Sequence, residues 1–215
     1  MNLAAELDII FNEQKSCFCK ISKVFNKPID DFVIGDETVK WFDKLKYLSL
    51  HFCCHKQLSI DISVTVRKAY ADANPILSHS RFVSDIVRLS LMESYVLPIL
   101  TYAIETVSLT SSMVHELSVC WNNVYRRIFG MNKWESVQYF CGKLDFVRSL
   151  HLRKLLFINR ICLLVSHSVM MECVNLYDLS KEFSDLKSWY DVDFMKMSSS
   201  GIRDVVCDAC CWFVL

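Results

Sequence analysis

The sequence predicts an α+β fold dominated by helices, with a small N-terminal three-strand unit (a β-hairpin plus a third strand) followed by a helical bundle. Three observations predict it. Hydrophobic residues make up 53% of the 215 residues, against only 4 Gly and 3 Pro, a balance that favours a folded core over disorder. Alternating β-type patterning is confined to residues 31–52. From residue 58 onward, apolar residues recur at helical spacing. A chain of this length can bury one good-sized core, or a core plus an appended segment. The pattern divides it at residues 1–55, 56–168 and 169–215.

Each element has a local reason. Leu3, Leu7, Ile10 and Phe11 give a short helical period, and Asn12-Glu13-Gln14-Lys15 turns the chain into a strand-like run from Cys17 to Ile21. Phe32–Ile34, a Gly35-Asp36-Glu37 turn and Thr38–Phe42 predict a hairpin. The run from Leu45 to Phe52 reads as one further strand. Ile60, Val64, Ala71, Ala73 and Leu77 mark a helix that Asn74-Pro75 would kink or split. A second helix spans Arg81 to Leu109, bent at Pro98. After the polar break Thr110-Ser111-Ser112, the residues Met113, Leu117, Cys120 or Trp121, Val124 and Ile128 form one apolar stripe. Thr110 suits its N-cap and Gly130 its C′ position. Trp134–Val137 opens a short helix closed near Cys141-Gly142. The next helix carries Phe146, Leu150, Leu155 and Ile161, with Arg148, Arg153, Lys154 and Arg160 mostly off its apolar face. Beyond residue 169 the tail is irregular to helical, with a helix over Leu176–Trp189, a loop at Met197–Gly201 and a last helix from Ile202.

Composition excludes several classes. Lys plus Arg equals Asp plus Glu at 24 each, so any basic surface is local. The opening residues have no basic n-region followed by an apolar stretch, so the 11 cysteines read as intracellular reduced thiols. The apolar run from Ile86 to Leu109 carries Arg88, Glu93 and Glu105, which argues against a membrane span. His51-x-Cys53-Cys54-His55 and Cys207-x-x-Cys210-Cys211 offer an incomplete zinc set, so no metal site is expected. With four glycines there is no phosphate-cradling loop, and no small-molecule substrate is indicated. Arg126, Arg127 and Lys133, flanked by Trp121, Tyr125 and Trp134, combine charge with stacking faces and so suit nucleic acid. The competing reading makes the arginines a helix C-terminal charge and the aromatics core.

The run SYVLPILTYAIE, then LTSS, then ELSVCWNNVYRRIFGMNKWESV resembles the region after the polymerase palm in reverse transcriptases of non-LTR (LINE-type, jockey-like) retrotransposons. In that family a YVLPILTYG.E helix leads to an L..AWN...R.IFG...W helix in the thumb and adjoining region. The resemblance runs from about Phe11 to about Arg160. It implies that residues 1–55 are a palm edge with a primer-grip-like hairpin and residues 56–168 a thumb-like bundle.

On the same resemblance Lys15 matches the lysine of the polymerase's fourth motif. Lys46 and Tyr47 match the primer-gripping KYLG, where this chain has Ser49 for the Gly, a departure that weakens that role. Tyr70-Ala71-Asp72-Ala73 imitates the YxDD box but lacks its second carboxylate and sits in a helical setting. With no metal-holding aspartate pair, the chain by itself is expected not to be an enzyme. Mg²⁺ would belong only to a full-length parent polymerase. The expectation is a truncated reverse-transcriptase fragment that at most binds RNA or DNA primer–template through Lys46, Tyr47, Arg126, Arg127, Lys133 and Trp134. The alternative is a domesticated helical module that docks a protein.

Overall fold

The computed structural model describes residues 12, 16–23, 32–34, 37–137, 145–163, 172, 181–193 and 196–208. It is mixed α+β and mostly helical, with antiparallel strands first and helices after, as the pattern predicts. Two units, Met1–Val64 and Thr65–Leu215, each hold their own contacts. Lys15, the Leu3–Phe11 helix and the Gly35-Asp36 turn lie outside the described residues.

In the first unit, β1 (Phe32–Ile34) and β2 (Glu37–Val39) pair antiparallel, Phe32 opposite Val39. Strands β3 (Lys44–Tyr47), β4 (Leu50–Cys54) and β5 (Leu58–Ile60) form a second antiparallel sheet. Phe18 bridges Trp41 and its ring meets those of Phe32 at 4.6 Å and Trp41 at 5.4 Å, a small, partly exposed aromatic cluster.

The expected single strand over Leu45–Phe52 is instead a hairpin. Tyr47 pairs with Leu50, and the two loop residues Leu48 and Ser49 take φ of 45° and 66°. A two-residue loop of this type (I′) takes positive φ at both positions to match strand twist, a conformation that strains residues other than Gly, Asn and Asp. The apolar run concealed the turn because neither loop residue is one of these. Ser49→Gly is therefore expected to stabilise the unit by about 1 kcal/mol, read as a higher urea midpoint at unchanged slope.

Helix α1 (Ile62–His79) starts at Asp61, whose carboxylate accepts from the Ser63 backbone N–H at 3.2 Å and pairs with Lys44 at 2.8 Å. Those donors hold the Asp61 carboxyl down at about 2. Pro75 sits inside α1 without splitting it.

The second predicted helix is broken. It becomes α2 (Asp85–Tyr95), a single turn α3 (Leu97–Leu100) with Pro98 at its start, and a 3₁₀ turn at Ile104–Thr106 after Ala103 at φ 52°. Proline lacks the N–H that a continuous helix would need there, and its ring crowds the preceding turn. Asp85–Thr106 is long and apolar enough to cross a membrane by length and composition; Val96, Leu100 and Ile104 along it are buried, and most of the remaining residues are not.

Helix α4 (Ser111–Ile128) follows its sequence closely. The Thr110 side chain accepts from Met113 N–H at 3.3 Å, and Leu117, Cys120, Trp121, Val124, Tyr125 and Ile128 are buried. Gly130 ends it at φ 63°, and Met131 N–H reaches back to the Arg126 carbonyl at 2.9 Å, a Schellman stop.

Helices α5 (Phe146–Leu163), α6 (Lys181–Tyr190) and α7 (Ser199–Asp208) share a core of Leu155, Ile158, Phe183, Leu186, Ile202 and Val206. The expected loop at Met197–Gly201 shortens, because Ser198 accepts from Gly201 N–H at 3.2 Å and lets α7 begin at Ser199. Lys154 corrects the reading of α5: it is fully buried, not solvated. Its Nζ donates to the Glu182 carboxylate and to the Val107 carbonyl, which is what permits the burial.

Candidate nucleic-acid interface

The C-terminal end of α4 gathers the second unit's expected contact residues. The Schellman turn passes the chain into Gly130–Glu135. There the Glu135 carboxylate accepts from the Asn132 backbone N–H at 3.0 Å and its side-chain amide at 2.8 Å. That side-chain turn, not a helix, occupies the residues where the expected helix would open, because an Asn that bonds locally competes with helical pairing; residues 138–144 lie outside the described residues. The turn carries Lys133 and Trp134 on its outside. Trp134 is 87% exposed, with the Lys133 ammonium 5.3 Å from its ring centroid.

Both arginines are held through their guanidinium groups. Arg126 donates to the Glu135 carbonyl at 3.1 Å and to the Asn123 side chain at 3.0 Å. Arg127, exposed, donates to Asn74 at 2.7 Å, and Asn123 in turn donates to the Tyr70 hydroxyl at 3.0 Å, so α1 packs beside the end of α4. A guanidinium has more N–H donors than these bonds use. Held this way, the arginines lose less side-chain freedom on meeting a phosphate than untethered ones would.

Two expected stacking faces are withdrawn. Trp121 and Tyr125 are fully buried and pack edge to face with ring centroids 5.5 Å apart, so of the three aromatics only Trp134 faces solvent. The stripe that makes α4 a core helix claims the other two. The Tyr70–Ala73 imitation of YxDD is helical, with Ala73 buried.

Sequence reasoning missed two further residues at this end. Arg88 donates to the carbonyls of Ser80 at 2.8 Å, Arg81 at 2.6 Å and Ile128 at 3.5 Å, pinning the loop before α2 to the last turn of α4. That loop holds Phe82 out at full exposure, with Ile86 76% exposed after it. The signal available was a lone Phe in a polar Ser-Arg-Phe-Val-Ser run between two helices.

Lys46 and Tyr47 belong to the first unit. Both are exposed on β3 at the hairpin tip, with Tyr47 61% exposed and Lys46 opposite His51. Among the described residues, no group of three or more His, Cys, Asp or Glu side chains is placed to hold a metal ion. Cys210 and Cys211 lie outside them.

The second unit also has a cleft of about 730 Å³ between the start of α4, α5 and α6, lined by His115, His151, Glu182, Asp185 and Trp189 among others. Its wall is tied to the core through His151, whose Nδ1 meets the Tyr190 hydroxyl at 2.9 Å. Burial, then the nearby Lys154 charge, pull the His151 pKa down to about 4. The folded state thus keeps this ring neutral where the unfolded chain, near 6.5, protonates it. Stability contributed above pH 6.5 is lost as pH falls toward 4, by a few kcal/mol. His151→Gln is expected to flatten that acid limb, measured as the unfolding midpoint against pH.

Comparison with family models, with curated proteins and with solved structures finds no match to this chain.

Proposed function

We propose that this chain is a reverse-transcriptase-derived nucleic-acid-binding fragment, related to the thumb region of non-LTR retrotransposon polymerases, whose own residues bind RNA or DNA but do not polymerise. The observation that carries it is Trp134. A tryptophan 87% exposed on a hydrogen-bonded turn, with the Lys133 ammonium over its ring and Arg126 bonded to the adjoining Glu135 carbonyl, has no role in packing and the right chemistry for an unpaired base next to a phosphate. The sequence resemblance over the same helix supports it. The absence of a YxDD aspartate pair from these 215 residues supports binding without catalysis. Lys46 and Tyr47 supply a second, independent contact in the first unit.

Three cations at the α4 end set the size of the effect. Release of counterions from a single strand predicts a slope of about −2 in log affinity against log salt, or roughly twentyfold weaker binding at 200 than at 50 mM. Fluorescence anisotropy with a labelled single-stranded RNA and with a primer–template duplex measures it. No binding at low salt would sink the reading.

A second reading, a helical module that docks a protein, has its own observation in Phe82 and Ile86, both exposed before and on α2. Large apolar side chains grouped on a surface mark association sites. That reading expects self-association or partner binding that disappears in Phe82→Ser with Ile86→Ser, and RNA binding at background.

A further inference from the structure

The first unit gathers four cysteines from two distant stretches, Cys17 and Cys19 before the sheets and Cys53 and Cys54 at the end of β4. Backbone bonds bring them together. Phe42 N–H donates to the Phe18 carbonyl at 2.8 Å, Ser22 N–H to the His55 carbonyl at 3.2 Å, and Cys54 N–H to the Asp43 carbonyl at 2.7 Å. The segment around Cys19 therefore runs past both Phe42 and the end of β4. The Cys54 thiol lies near those of Cys19, Cys53 and Cys17, whose proximity adds to burial in raising it. Cys54 has no exposed surface, Cys19 is half-buried and Cys17 is exposed. Neither pair forms a recognisable motif by itself, so only the fold reveals the cluster.

We propose that Cys19 and Cys54 are a reversible dithiol–disulfide pair, closed by a small-molecule disulfide of the glutathione type. The two partners divide the chemistry by exposure. Burial, with Cys19 beside it, pushes the Cys54 thiol up to about 11, so it stays protonated near neutral pH and does not react first. Cys19, the more accessible, attacks one sulfur of oxidised glutathione as its thiolate. The glutathione S–S bond breaks, one glutathione leaves with the electron pair, and Cys19 carries the mixed disulfide. Cys54 then gives up its proton and attacks the Cys19 sulfur, and the second glutathione leaves as thiolate. Two protein thiols are oxidised and one glutathione disulfide is reduced to two thiols. The new bond staples the 16–23 segment to β4, and by closing a long loop it restricts the unfolded chain.

The test treats the intact, reduced chain with excess oxidised glutathione and maps the product by peptide mass spectrometry. The expected product is a Cys19–Cys54 linked peptide, two hydrogens lighter than its parts, reversed by dithiothreitol, with a thermal midpoint several degrees above the reduced chain. Cys54→Ala is expected to leave one glutathione on Cys19. Cys19→Ala, at the half-buried partner and so less disturbing to the fold, is expected to leave Cys54 unmodified. A link joining Cys19 or Cys54 to any other cysteine, a wild-type chain that retains glutathione on Cys19 without closing, or no reaction at either residue would overturn the proposal.

Discussion

Glu182→Ala is expected to destabilise the second unit by about 3 kcal/mol, lowering the thermal midpoint by roughly 6–12 °C. The cause is not the lost contact as such. Lys154 is fully buried, and its charge is met by the Glu182 carboxylate and the Val107 carbonyl. Without the carboxylate an ammonium remains in the interior, where solvation is poor and the Val107 carbonyl alone meets it. The double change Lys154→Met with Glu182→Leu removes both charges and is expected to recover most of the loss, since a buried pair replaced by apolar side chains is often neutral. Paired calorimetric scans of the single and double variants decide it. Equal destabilisation in both would show that the side chains matter for shape rather than charge.

Trp121→Ala carries the other large effect, about 3–5 kcal/mol, because a fully buried indole at the centre of α4 leaves a cavity its neighbours cannot fill. Trp121→Phe is expected to cost far less, about 1 kcal/mol. The indole N–H is buried with no hydrogen-bond partner among the described residues, so phenylalanine also removes an unsatisfied donor. Urea denaturation of the two variants measures the gap. Similar losses would mean that the ring nitrogen is satisfied in solution.

Helix α4 was legible in the sequence from end to end, because the information is local: Thr110 caps it, the stripe from Leu117 to Ile128 buries it, and Gly130 stops it. Other features depend on partners far along the chain. Lys154 sits in α5, but what lets it be buried is Glu182 on another helix. Periodicity alone leaves such a lysine on the solvent side. The hairpin at Leu48-Ser49 lacks the residues that usually announce such a turn, so an unbroken apolar pattern reads as one strand.

At the α4 end, charge and position were visible, but exposure was not. The same aromatic residue type packs the core at Trp121 and faces water at Trp134, and only the fold separates them. Arg88 belongs to the same class. Its role as a latch across Ser80, Arg81 and Ile128 depends on how two helices meet.

The central claim, that the end of α4 takes nucleic acid through Trp134 and its neighbouring cations, is tested most directly by titrating single-stranded RNA into wild-type chain and into Trp134→Ala at low salt. Trp134 has no packing role, so the variant is expected to fold and melt as the wild type does. Base stacking predicts affinity about tenfold weaker in the variant, together with wild-type tryptophan fluorescence quenched on binding and little quenching once Trp134 is gone. Equal affinity and equal quenching in the two proteins would contradict the account.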